Sequence, residues 1–311
     1  MSAVNDTKSQ PAVFLLTGIP GLEDVHVWIS IPFFLMFITS VLGNSLILFI
    51  IKTDPNLHEP MYIFLSMLAA TDLGITISTM PTTLGIFWFN SREISHDACF
   101  AQLSFILSFS YTESSLLSSM AFDRFVAISH PLRYASILTT PRIAKMGLVS
   151  VFRGVGLIFP LPIFLKQYRY CQANILSHSF CLHQEVMTMA CSDIRFSIIY
   201  GFFLTVSSAG LDLLFILLSY VMILKTVLNI ASHAERLKAL NTCVSHVCVV
   251  LLAYSPVICL SVIYRFVKSS SPFVQNFLGN VSMLIPPMMN PIVYSVKTKP
   301  IRARIIRLFI K

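Results

Sequence analysis

Seven stretches of this chain are apolar for at least the roughly 20 residues a helix needs to cross the hydrocarbon core of a bilayer. Nothing else in the sequence constrains the fold as strongly. They fall near residues 27–51, 61–87, 99–128, 142–165, 195–228, 236–264 and 273–296. Polar breaks with turn chemistry separate them at 52–60, 90–97, 131–141, 166–193, 229–235 and 265–272. The expected fold class is therefore an all-α membrane protein: a seven-transmembrane helix bundle (27–296), an extracellular tail (1–26) and a short amphipathic C-terminal helix in a cytoplasmic tail (297–311). Composition agrees. Hydrophobic residues make up 55% and charged residues 12%, with a mean hydropathy of +0.76. A soluble domain carries about twice that share of charge, because water is its solvent. The first 25 residues are polar apart from Val13-Phe14-Leu15-Leu16, a cluster too short for a signal-peptide core, so the first span is expected to double as the export signal.

A net charge of +8 raises the question of nucleic acid. The placement of the charges answers it. With the N-terminus outside, the cytoplasmic face holds Lys52, Arg124, Arg133, Arg142, Lys145, Lys225, Arg236, Lys238 and six tail residues. That is fourteen of the 22 Lys and Arg, while Asp6, Glu23, Asp24, Glu93, Asp97, Glu185 and Asp193 lean outward. This is the positive-inside pattern, and nucleic-acid binding drops out. In the tail, Ile301, Ile305, Ile306, Leu308 and Phe309 interleave with Arg302, Arg304 and Arg307, a pattern suited to lying on anionic lipid. No internal repeat is evident, which weighs against a duplicated transporter. Prolines within spans are tolerable where neighbouring helices re-satisfy the freed backbone groups.

Four cysteines, Cys99, Cys171, Cys181 and Cys191, fall on the expected outer side, where disulfides are the default and three pairings are open. A Cys99–Cys181 bridge would pin the long second outer loop over helix 3, and Cys171–Cys191 would then close a hairpin within it. A zinc site with His178 and His183 is the rival, so no metal is firmly assigned. Cys243, Cys248 and Cys259 lie in the sixth span and read as small buried residues. Asn5-Asp6-Thr7 is a glycosylation sequon on the outer tail.

Charges inside a bilayer are costly and mark function by default. Here they are Asp72, Glu113, Arg153 and Asp212, with Asp123-Arg124 at the inner end of span three. Asp72 and Glu113, with Asn44, Ser119 and Asn290, are expected to converge in the bundle as either a structural hydrogen-bond network or a cation site. No nucleophile arrangement, phosphate loop or metal triad is present, so an enzyme is not expected, nor is any cofactor.

Several motifs together resemble rhodopsin-like G-protein-coupled receptors: Gly43-Asn44, Leu68-Ala69-Ala70-Thr71-Asp72-Leu73, Met120-Ala121-Phe122-Asp123-Arg124-Phe125 and Asn290-Pro291-Ile292-Val293-Tyr294. Pro60-Met61-Tyr62 and Lys238-Ala239-Leu240-Asn241-Thr242-Cys243-Val244-Ser245-His246 resemble olfactory receptors. Leu15-Leu16-Thr17-Gly18-Ile19-Pro20-Gly21-Leu22, Phe87-Trp88-Phe89 and Pro286-Pro287-Met288-Met289 resemble their class I, fish-like branch. The likeness runs from about residue 13 to the C-terminus. It implies a plasma-membrane receptor for a small odorant, coupled to the olfactory stimulatory G protein and raising cyclic AMP. Asp123, Arg124 and Tyr294 would form the G-protein switch, and Phe125 replaces the family's more usual tyrosine. The disulfide pairs above agree with the family pattern.

The resemblance also implies a ligand pocket between helices 3, 5, 6 and 7 under the outer loop, with Arg265, Ser261, Gln184, Leu107 and Tyr254 as its candidates here. An arginine at the position of Arg265 holds a carboxylate in acid-binding members, through paired hydrogen bonds that burial strengthens. Leu107 stands where a partner histidine is often found, which points to a more apolar odorant. An amine receptor would need a carboxylate high in helix 3, and none lies between Cys99 and Tyr111. Retinal would need a lysine in the last span, which has none. A chemosensory role outside olfaction and a seven-helix transporter are the remaining alternatives.

Overall fold

The computed structural model describes residues 13–18, 26–170, 174–266 and 272–309, with backbone only at 26, 260–262, 264–266, 272–273, 275–276 and 309. Every apolar run is helical. The first three are α1 (His26–Thr53), α2 (Pro60–Phe89) and α3 (His96–Ser129). A short α4 (Tyr134–Ile137) precedes the fourth run, which divides at Pro160 into α5 (Thr140–Ile158) and α6 (Pro160–Gln167). A loop helix, α7 (His183–Thr188), leads to the fifth run, formed by α8 (Arg195–Thr205), a π-turn (Val206–Gly210) and α9 (Leu211–Leu228). Then come α10 (His233–Phe266), α11 (Pro272–Lys297) and α12 (Lys299–Phe309). The chain is thus a seven-helix bundle with a terminal amphipathic helix. Five of the runs are long and apolar enough to span a membrane on composition alone. The other two, α3 and α11, turn more polar side chains into the bundle, among them Glu113, Ser114, Asp123, Asn280 and Asn290.

Helix ends follow local chemistry. Pro60 opens α2, where its missing N–H costs nothing. Asn90 closes it in the left-handed region at φ 52°, with its N–H on Ile86 O and the Ser91 N–H on Gly85 O. Ser95 caps α3 by accepting from the Ala98 N–H at 3.3 Å. Asp54 accepts from the Asn56 N–H at 3.1 Å, and that bond holds its carboxyl below the ordinary range.

α3 runs through the middle, touching α2, α5, α9 and α10. Two glycines permit close helix crossings. A Cβ at Gly154 would meet the Ser108 carbonyl at 2.7 Å, and one at Gly43 would meet the Pro291 ring at 2.9 Å. The largest core cluster gathers Leu68, Leu117, Met120, Val249 and Tyr294 around the bundle axis. Outward faces are apolar instead: Trp28, Phe152, Phe159 and Leu217 are all exposed. In water that surface would aggregate; in lipid it is solvated.

The helical fold class holds, with one small addition. Val13–Leu16 forms a strand, β1, between β2 (Glu93–Ser95) and β3 (Ile175–Leu176). β1 pairs antiparallel to β2 (Phe14↔Ile94) and parallel to β3 (Leu15↔Ile175). Phe14 and Leu16 are buried beneath it, with Phe14 stacked on His96 at 4.2 Å and edge-on to Tyr170 at 5.4 Å. Four residues are too few to announce a strand by alternation. The sheet and a disulfide cap one end of the bundle, called the disulfide end below; Arg124 lies toward the other.

Candidate functional site

At the disulfide end the loop before α8 is tied down from three sides. Cys181 is bonded to Cys99, with their Cα atoms 5.5 Å apart. Gln102 accepts from the Cys181 N–H at 3.0 Å and donates to Ser78 O and Thr82 Oγ1 on α2 at 2.9 and 2.8 Å. Ser179 Oγ donates to Asn280 Oδ1 on α11 at 3.1 Å. Between these ties, Phe180 is fully buried against Ile106, Leu182 and Met283. The loop is therefore a plug sunk between helices. Cys191 is also disulfide-bonded; Cys171, its expected partner, and the sequon at Asn5 lie outside the described residues. Cys259 is exposed and Cys248 half-buried, so the sixth-span cysteines are not uniformly buried as the sequence suggested.

The loop histidines do not converge on a metal. His178 Nδ1 sits 2.7 Å from Glu185 Oε1, and among the described residues no group of three potential ligands forms. His183 packs against Gly201 with its Nε2 buried and without a hydrogen bond, and burial pushes its pKa down to about 4.

The candidate ligand residues are spread along the bundle. Leu107 is half-buried beside the cluster of Phe100, Leu103 and Cys99. Gln184 is exposed on α7, and Tyr254 is buried on α10. Ser261 and Arg265 lie on the helical backbone of α10, but their side chains lie outside the described residues.

Tyr254 begins a polar chain. Its hydroxyl shares a 2.6 Å hydrogen bond with Ser114 of α3, and Ser114 Oγ donates to Asp212 Oδ2 of α9 at 2.8 Å. Arg153 of α5 closes on Asp212 with two parallel bonds, Nη1 to Oδ1 at 2.7 Å and Nη2 to Oδ2 at 3.0 Å. Arg153 Nη2 also donates to Ser207 O at 3.0 Å, a carbonyl of the π-turn. Such turns free backbone groups inside a helix and recur at functional sites. Three helices thus meet on one carboxylate, and α10 joins them through Ser114. Sequence reasoning flagged Arg153 and Asp212 separately and missed the pairing. The signal was present: each is an intramembrane charge in need of an opposite one.

A second carboxylate cluster gathers between α1, α2 and α11. Asn290 Nδ2 donates to both Asp72 oxygens at 3.2 and 3.0 Å. Asn44 Nδ2 donates to Ser40 O and to Pro287 O, at 3.0 and 2.9 Å; the latter carbonyl lies beside Pro291, whose missing N–H leaves it spare. Ser40 shares a bond with Thr76, which back-bonds to Asp72 O. Glu113 is close enough to act on Asp72 and to reach Asn290, yet its Oε1 and Asn290 Oδ1 are buried without hydrogen bonds. Ser119, expected here, points elsewhere: its Oγ donates to Ser115 O, and it lines a cleft beside α5.

Toward the opposite end, Arg124 and Asp123 are both buried, with Nη1 to Oδ2 at 3.8 Å. Tyr134 of α4 donates to Asp123 Oδ1 at 2.8 Å, and burial and that carboxylate raise the phenol's pKa. Tyr220 OH shares a 2.8 Å bond with His246 Nδ1, and the Tyr294 hydroxyl is buried and unpartnered. Arg124 Nε is also unpartnered. Among the described residues the guanidinium is held by one long ion pair, with a spare N–H of its own and an unpaired phenol nearby, an arrangement with little to lock it. Phe125 fills an apolar contact with Ile223, Val227 and Cys243.

Comparison with known sequences now bears on these sites. A family model described as olfactory receptor matches residues 33–311. The chain is similar to olfactory receptor 51G2 of Homo sapiens, 62% identical over 98% of this chain and 97% of that protein. Olfactory receptors 51A4 and 51A7, also of Homo sapiens, are 55% and 54% identical, each over 98% of this chain and 97% of the relative.

Proposed function

The chain belongs to the olfactory receptor family, in its class I branch, and from that premise we propose its orientation, its ligand chemistry and its coupling. It is an odorant-sensing G-protein-coupled receptor, a multi-pass membrane protein. The disulfide end faces outward and the Arg124 end faces the cytoplasm, with residues 1–26 outside and 297–311 inside. Disulfides call for an oxidising compartment, and the lysines and arginines crowd toward the other side. The ligand is a small apolar odorant beneath the plug loop, with Arg265 as the group to hold a carboxylate and Ser261, Gln184, Leu107 and Tyr254 as its neighbours. The partner is a heterotrimeric G protein of the olfactory stimulatory type, and the output is cyclic AMP.

One observation carries this reading: Tyr254, a candidate ligand residue, bonds at 2.6 Å to the serine that also holds Asp212. A ligand that displaces the Tyr254 ring breaks that bond and frees α10 from α3. Rearrangement on the far side then releases Arg124 from Asp123 for the G protein, with Tyr294 as the third member of the switch. A ligand shifts such an equilibrium only as far as its affinities for the two packings differ.

The cluster of Asp72, Glu113, Asn44 and Asn290 supports a second role. Two buried carboxyls with spare acceptors suit a small cation or a shared proton. Binding there steadies one of the two packings.

An odorant panel read by cyclic AMP in receptor-expressing cells tests the scheme. Arg265→Ala should abolish the response to the strongest carboxylate or polar odorant with surface expression intact; an unchanged dose–response curve removes Arg265 from the site. Leu107→His should move preference toward short acids, and no movement places Leu107 outside the pocket. An extracellular C-terminal tag would overturn the orientation.

A further inference from the structure

A cleft of about 370 Å³ lies where α5 crosses α3 on the outer surface of the bundle, and its lining shares no residue with the candidate ligand site or the switch. Its floor is three small side chains, Ser115 and Ser119 on α3 and Ser150 on α5. Their hydroxyls are already engaged. Ser119 donates to Ser115 O, Ser115 to Ser150 Oγ, and Ser150 to Met146 O, each at 3.0 Å. Hydrocarbon can therefore lie on this floor without stranding a donor. Met146 and the exposed Val149 form an apolar wall. Arg142 and Lys145 form the rim toward the Arg124 end, and both are exposed. Positions 142, 145, 146 and 149 share one face of α5 by helical spacing. From Arg142 to Ser150 the helix rises about 12 Å. The cleft thus runs from a cationic mouth to an apolar interior.

We propose that this cleft binds an anionic phospholipid of the inner leaflet, its phosphate between Arg142 and Lys145 and one acyl chain laid over Val149 and the serine floor. The leaflet assignment rests on the orientation proposed above. Charge complementarity selects the occupant: the lining has two cations and no acid, and basic clefts between helices on the cytoplasmic side take anionic headgroups. A neutral lipid or sterol would use the wall and leave the mouth unpaired. The site also has a route to the switch. Arg142 Nη1 donates to the Ser136 and Ile137 carbonyls at 3.2 and 2.8 Å, capping α4, and Tyr134 of that helix holds Asp123. Both bonds leave from Nη1, and a guanidinium has further N–H groups on Nη2 and Nε for a phosphate. A bound headgroup thereby steadies the segment that flanks Arg124.

The test uses the full-length receptor in nanodiscs with trace photoactivatable phosphatidylserine or phosphatidylcholine of matched chains, read by peptide mapping. The serine lipid should label residues 146–149 several-fold more than the choline lipid. Lys145→Gln should cut that labelling roughly fivefold, while labelling of α12 by the same probe stays constant as the internal reference. Val149→Trp, at a lipid-facing position 55% exposed, should fill the cleft and remove the labelling with both cations intact. Equal labelling by the two probes overturns the proposal, as does labelling that cholesterol displaces but Lys145→Gln leaves alone. Both leaflets carry the probe in a nanodisc, so failure of the orientation would show in tag accessibility and leave this readout untouched.

Discussion

Two of the acidic centres buried in the bundle are treated in opposite ways. Asp212 is well paired: two bonds from Arg153 and one from Ser114 engage both its oxygens. Among the described residues, Asp72 has Asn290 alone as a side-chain donor to its oxygens, and beside it Glu113 Oε1 and Asn290 Oδ1 have no hydrogen bond. A buried network with every member satisfied is rigid, whereas a partly satisfied one invites a proton, an ion or a rearrangement. The first centre therefore joins helices, and the second is the adjustable one.

The largest expected effect comes from unpairing Asp212. Arg153→Ala leaves the Asp212 charge buried and should cost about 3–5 kcal/mol, seen as lost surface expression and a lower melting temperature in detergent. Arg153→Met with Asp212→Leu should recover most of that loss. If Arg153→Ala melts like wild type, the contrast between the centres fails. Ser114→Ala is milder, about 1–2 kcal/mol, and should also shift odorant potency because it strips Tyr254 of its partner. Asp72→Asn should change stability by less than about 1 kcal/mol, since no full set of bonds is lost. Wild type should melt higher in sodium chloride than in choline chloride and the variant equally in both; a sodium effect that survives Asp72→Asn would move the ion elsewhere.

His183 extends the comparison to the plug loop, because its Nε2 is buried with no hydrogen bond among the described residues. Its folded pKa, about 4, lies below the ordinary value of 6.5. Its contribution is therefore complete above pH 6.5 and is lost as pH falls from 6.5 toward 4. At pH 5.5 the loss is about 1 kcal/mol. Limited proteolysis of the loop should accelerate there, and His183→Gln should flatten that dependence.

Most of the bundle is legible in the sequence because hydrophobic length is a one-dimensional signal. The run at 99–128 became α3 (His96–Ser129), and that at 273–296 became α11 (Pro272–Lys297). What escaped depends on long-range partners. Val13–Leu16 is a strand only because residues near 94 and 175 come to meet it. Arg153 and Asp212 are 59 positions apart, and no local pattern couples them. Ser119 looks like a bundle-facing polar group in sequence, but its position on α3 aims it at α5. Asp72 and Asn290 could be grouped from composition alone, because an intramembrane acid needs a donor and few are present.

The parallel pairing of Leu15 with Ile175 also sets a timetable for biosynthesis. The chain emerges from its N-terminus, so β1 must wait, unpaired along one edge, until translation has passed the fourth helix. Stitching of the outer cap is thus an event of late assembly. A truncated or stalled product would display the Phe14 and Leu16 side chains to the chaperones of the secretory pathway.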